Sequence, residues 1–182
     1  MFGLLSRPSR PDPVGSFHAR IVAASRDPGF YGEGGFPDSM EGRFESLLLH
    51  TLLVLRRLRA LPAPAADVAQ DLVDAVFAHL EIALREMGVG DFGVPKRMKK
   101  LGRAFYDRMS RYDPLLDGRD TSALAREIGA RLDLAPELVG RIARHVLDAE
   151  PRLARQDLDR LMVAPDFGEP AHLSAVPARR GA

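Results

Sequence analysis

The side chains able to do chemistry in this chain are present but badly spaced for it. Its five histidines, His18, His50, His79, His145 and His172, occur singly. None falls in the HxxxH, HxH or HxxEH spacings that bring several ligands onto one metal. There is no cysteine, which removes thiolate zinc sites, disulfides and a cysteine nucleophile together and fits a reducing compartment. No GxSxG nucleophile elbow and no Walker phosphate loop occurs. The expectation is therefore no catalytic residue, no cofactor and no metal. An enzyme whose site forms only in three dimensions stays open, and it would need a deep pocket with clustered, pKa-shifted carboxylates.

Two motifs imitate nucleotide chemistry. Gly88-Val89-Gly90-Asp91-Phe92-Gly93 spells GxGxxG, and Asp91-Phe92-Gly93 spells the kinase DFG. The first needs a strand before it, so that phosphate sits on the following helix at the edge of a parallel sheet. Here the preceding segment has helical spacing. The second needs an HRD-type catalytic loop, and the chain has none. The glycines have a plainer use. Gly88 follows the last apolar position of a helix, where a left-handed cap residue belongs, and Leu84 and Val89 stand at the positions that touch in a Schellman cap. Pro95 stands where a first-turn proline is tolerated. Residues 84–100 thus read as helix stop, short loop and helix start.

The real surplus is positive charge, and it begins where that loop ends. Between Lys96 and Arg111 there are seven cations and one acid, in a chain whose net charge is +1. A solvated face, partly paired with the acidic side of the preceding helix, is the plain account. The sharper ones are an anionic membrane surface or a phosphate backbone. Lys96, Arg97, Lys99, Lys100 and Arg103 are the candidate partner- or membrane-binding residues. Missing aromatic interleaving and the lack of any recognised nucleic-acid module speak against RNA or DNA. A ribosome- or RNA-binding module using the basic helix 95–112 remains as the alternative function.

The elements that must position these residues are helical throughout. The 182 residues, 46% apolar and 28% charged, suit one globular domain. Ser16–Ser25 is a short helix with Phe17, Ile21 and Ala24 on one face. Asp38 and Glu41 have capping-box spacing, so a long helix starts there. Its stripe of Phe44, Leu47, Leu48, Leu52, Leu55 and Leu58, widened by Leu49 and Leu53, marks it as the most buried. Arg56, Arg57 and Arg59 load its last turn with cations that the helix dipole favours. His50, on this apolar helix, reads as a hydrogen-bonded core histidine, with a partner contact as the alternative. Further helices span about 66–87, 95–112, 120–132, from 136 onward, and 151–163. The longest apolar run, Leu47–Leu55, is far below the roughly 20 residues a bilayer requires. No strand alternation appears. The expectation is all-α: a single-domain helical bundle of about six or seven helices, with flexible tails at 1–14 and 164–182.

Two stretches identify a family. Asp38-Ser39-Met40-Glu41-Gly42-Arg43-Phe44-Glu45 with the apolar run through His50, then LREMGVGDFGVPKRMKKLGRAFYDR from Leu84 to Arg108, closely resemble the ubiquinol–cytochrome c chaperone family. The resemblance covers about residues 17–146. It implies an all-α, non-enzymatic assembly factor of the cytochrome bc1 complex. Such a protein is peripheral to the inner membrane and binds newly made cytochrome b; in mitochondria it acts with a small partner subunit near the ribosomal exit. Position by position, the signature loop carries Arg85, Glu86, Gly88, Gly90, Asp91 and Pro95. Gly42, Arg43, Phe44 and His50 match the earlier block as structural or partner residues. Two departures stand out: Glu81 replaces a usual aspartate, and Asp107 a usual glycine. The short amino terminus, without a presequence, looks bacterial, which implies a cytoplasmic location and leaves the small assembly partner as a possibility only.

Overall fold

The computed structural model describes residues 12–31, 35–132 and 134–170. Among them are seven α-helices: α1 (Pro13–Ser25), α2 (Met40–Arg59), α3 (Ala65–Glu86), α4 (Val94–Asp117), α5 (Thr121–Gly129), α6 (Pro136–Ala154) and α7 (Leu158–Val163). A 3-10 turn, Pro28–Phe30, lies between α1 and α2. The described residues hold no strand, only an isolated bridge between Tyr31 and Phe36. The all-α expectation holds.

α2 is the centre. From Glu45 to Leu55 every residue is buried, as expected of a helix apolar on all sides. It packs on α1, α3 and α6, while α4 closes on α3 and α5, and α5 on α6. Each fully buried leucine of α2 contributes about 1.5–3 kcal/mol of transfer free energy, which makes this helix the anchor of the core.

Several local signals resolve differently from their sequence reading. α1 begins at Pro13, capped by Asp12, whose side chain accepts from the Gly15 N–H; the amino-terminal tail therefore ends earlier than 14. Ser39, not Asp38, caps α2, accepting from Gly42 N at 3.1 Å. Asp38 is instead paired with Arg43 at 2.7 Å. α4 does not stop at Tyr112 but runs to Asp117 through Pro114. Pro151 lies inside the last turn of α6 rather than opening a helix, and α7 starts at Leu158 under an Asp157 cap. In both cases packing on neighbouring helices outweighs one missing backbone bond.

The carboxy-terminal tail needs the largest correction. Residues 164–170 run along the core. Gln156 holds them at both ends of its amide, donating to Ala164 O at 2.8 Å and accepting from Asp166 N at 3.0 Å. Phe167 is buried, its ring 4.6 Å from that of His50. One aromatic residue in a stretch of proline and glycine is enough to dock it. Residues 1–11 and 171–182, where the remaining tail expectations and His172 fall, lie outside the described residues.

The glycine loop is built as its spacing predicts. Gly88 has φ +79°. Its N–H donates to Arg85 O at 2.9 Å and the Val89 N–H to Leu84 O at 3.1 Å, the two bonds of a Schellman cap. A Cβ here would meet nothing within 4 Å, so only the backbone restricts the position. Gly88→Asn is therefore expected to cost a few tenths of a kcal/mol, and Gly88→Val more than about 1 kcal/mol. Chemical denaturation of the two variants checks this; equal losses would show that space, not φ, sets the preference.

Candidate functional site

α3 and α4 are joined by Met87–Gly93, and the cations leave this connection on the first turns of α4. Lys96, Arg97, Lys99, Lys100 and Arg103 are all exposed, and none of the five takes part in an ion pair with a described residue. The remaining two cations behave differently. Arg108 turns inward, its Nε 2.6 Å from the Glu45 carboxylate. Arg111 pairs with Asp107 at 3.0 Å and approaches Glu127 of α5 at 3.7 Å. The basic helix is thus two things in sequence: a free positive face, then a structural clamp. Asp107 belongs to the clamp, since Arg131 also reaches it at 3.4 Å.

The signature loop is fixed from within. Arg85 donates to Glu81 at 2.9 Å and, across the loop, to Asp91. Glu81 supplies one of the two carboxylates that hold the Arg85 guanidinium. The Gly90 carbonyl accepts from both Gly93 N, at 2.7 Å, and Val94 N, at 3.2 Å, which starts α4. Pro95 lies in the first turn, exposed, and Glu86 is exposed on the last turn of α3. Phe92, between the glycines, is fully exposed.

The earlier block lies elsewhere. At Gly42 a Cβ would stand 2.0 Å from the Pro37 carbonyl oxygen, so only glycine lets the incoming chain cross the start of α2. Phe44 is half-buried under the Arg108 guanidinium, 5.5 Å from the ring centre. Glu45 next to it is 1% exposed and accepts from Arg108 and from the Tyr112 hydroxyl. Burial, then the Glu45 charge, pushes the Tyr112 hydroxyl pKa up, keeping it a donor. The two family-like stretches, distant in sequence, therefore meet through Phe44, Glu45, Arg108 and Tyr112. Spacing did not single out Glu45, yet there was a signal. An acid in the one helix apolar on all sides must find a partner.

His50 is in the core, not at the face. Its Nδ1 is 2.7 Å from the Ser46 carbonyl oxygen, which makes Nδ1 the protonated nitrogen. Phe30 and Phe167 approach the ring edge-on at 4.9 and 4.6 Å. Burial pushes its pKa down to about 4. His18 and His79, rings 5.2 Å apart between α1 and α3, are lowered by burial too. No group of three or more metal-ligating side chains forms among the described residues.

A cleft of about 420 Å³ lies at the other end of α2. Arg56 crosses it to Asp113 at 2.8 Å, Asp117 at 2.5 Å and Glu150 at 2.9 Å. Arg59 adds Asp113 at 2.9 Å. These arginines, read as dipole partners from the sequence, are cross-braces between α2, α4 and α6. Their charges are mutually neutralised, so the cleft is a braced seam rather than a ligand pocket.

Known proteins share this architecture. Comparison with curated proteins by sequence yields no match. The crystal structure of the Cbp3 homolog from Brucella abortus is similar, at 36% identity and a TM-score of 0.74, over 82% of this chain and 84% of that one. The family model for the ubiquinol–cytochrome c chaperone matches residues 33–165, a span that takes in both the signature loop and the buried Glu45–Arg108 joint. The chain belongs to the ubiquinol–cytochrome c chaperone family.

Proposed function

We propose that this protein is a non-catalytic assembly chaperone of the cytochrome bc1 complex that holds newly made cytochrome b at the cytoplasmic surface of the inner membrane. Family membership supports the assembly role. The observation that carries the docking step is the set of five exposed cations, without ion pairs to described residues, on the first turns of α4. Each cation near an anionic surface is worth roughly 1 kcal/mol. Charges already paired within the protein contribute less, as for Arg108, largely buried against Glu45, and Arg111, paired at the surface with Asp107. Among the described residues no helix is long and apolar enough to cross a membrane, so the proposed contact is with the surface. A small assembly partner, as in the mitochondrial systems, is compatible with this arrangement.

The experiment has two parts. Co-sedimentation with phosphatidylglycerol vesicles should show binding that weakens with salt. It should fall at least roughly a hundredfold when Lys96, Arg97, Lys99, Lys100 and Arg103 are all changed to Gln. In a strain lacking the gene, assembled bc1 complex should drop, and the wild-type chain but not the five-Gln variant should restore it. Normal haem b incorporation in the deletion strain sinks the cytochrome b assignment.

A further inference from the structure

Among the described residues large exposed apolar side chains are few, and two of them lie on the same line as the free cations. Phe92 is fully exposed and Tyr106 is 58% exposed. Positions 92, 96, 99, 103 and 106 are four, three, four and three apart, the spacing of one helix face. The helical phase reaches back to Phe92, because Val94 N and Arg97 N donate to Gly90 O and Gly93 O at 3.2 and 3.1 Å and Gly93 has helical dihedrals. Phe92, Lys96, Lys99, Arg103 and Tyr106 therefore form a single outward stripe, an aromatic residue at each end and three cations between. The sequence suggests a region without interleaved aromatics; the structure places two beside the charge.

We propose that Phe92 is an apolar anchor that enters the interfacial region of an anionic bilayer, with Lys96, Lys99 and Arg103 on the headgroups and Tyr106 at their level. This rests on the docking reading above and adds depth and orientation to it. A fully exposed phenylalanine on a tip held by a Schellman cap and the Arg85–Asp91 bond has its ordering cost already met. A phenylalanine beside lysines and arginines buries at the boundary of headgroups and acyl chains, whereas the amphipathic tyrosine ring sits at headgroup level. The stripe suits a bilayer better than a protein groove. Its apolar residues are separated by cations, whereas a helix-binding groove requires apolar anchors three and four apart without interruption.

The chain contains no tryptophan, so Phe92→Trp introduces a lone fluorophore at a fully exposed site. With phosphatidylglycerol vesicles its emission should shift to the blue and be quenched by brominated acyl chains. Phosphatidylcholine vesicles should leave it unchanged. Phe92→Ala should weaken vesicle binding by about fivefold to tenfold. If the wild type sediments with anionic vesicles while Phe92→Trp stays unshifted and Phe92→Ala binds equally, the anchor is wrong and charge docking stands alone. If the wild type does not bind anionic vesicles, docking itself fails and the anchor with it. A shift with homopolymer RNA but not with vesicles assigns the stripe to base stacking and overturns the proposal.

Discussion

Glu45→Ala is expected to lower the unfolding free energy by about 3–5 kcal/mol. The carboxylate is 1% exposed and is held by a guanidinium at 2.6 Å and by the Tyr112 hydroxyl. Truncating it leaves Arg108, whose side chain is 15% exposed, without a counter-charge inside the bundle. It also strands the Tyr112 hydroxyl. Removing one partner of a buried pair costs far more than the pair contributes, because the survivor keeps its desolvation penalty. Glu45→Leu combined with Arg108→Met should therefore recover most of the loss. For a domain of this size the single change corresponds to a fall in Tm on the order of 10 °C. Thermal unfolding of the single and double variants gives the answer. A shift below about 2 °C for Glu45→Ala would mean that the carboxylate is solvated and that α2 and α4 are not joined there.

The second large effect is acid lability through His50. The ring is buried neutral with its folded pKa at about 4, against 6.5 for the unfolded chain. Below pH 6.5 the unfolded chain binds a proton that the folded chain refuses until about pH 4. The stabilisation is thus complete above pH 6.5 and is lost as pH falls toward 4, by about 3 kcal/mol in all. His18 and His79, lowered by burial, act in the same direction. Carboxylates titrate in the same range, so the informative quantity is a difference. Urea unfolding of the wild type and of His50→Gln at about pH 7 and about pH 4.5 should show a shallower loss for the variant, which carries no titrating group there. Parallel losses would mean that the ring is protonated in the native state and faces water.

These effects arise from contacts that the sequence only partly reveals. The Schellman cap at Gly88 was legible in full, because every group it uses lies within six residues of chain: Leu84, Arg85, Gly88 and Val89. So was the burial of α2, since its composition alone requires it. Proline inside a helix was not legible for the converse reason: the helix read as ending near 112 runs on through Pro114, and Pro151 lies inside α6 instead of opening a helix. Its local cost is real, but α4 and α6 recover it from packing partners that lie elsewhere in the sequence. The capping residue of α2 was off by one because Asp38 has a better use, its bond to Arg43. Phe167 shows the limit of composition, since a stretch poor in apolar residues was docked by one ring fitting beside His50.

What the sequence by itself determined is the set of local decisions: helix periods, the glycine-stopped loop, the run of cations after Pro95, and the family to which these belong. What only the tertiary structure decided is the fate of each charge. Arg108 and Arg111 were drawn against the bundle because Glu45, Asp107 and Glu127 met them there. Lys96, Arg97, Lys99, Lys100 and Arg103 stayed in solvent, with Phe92 beside them. Charge along a chain is read by counting. Free charge depends on which opposite charges arrive within a few ångströms, and folding alone sets those distances.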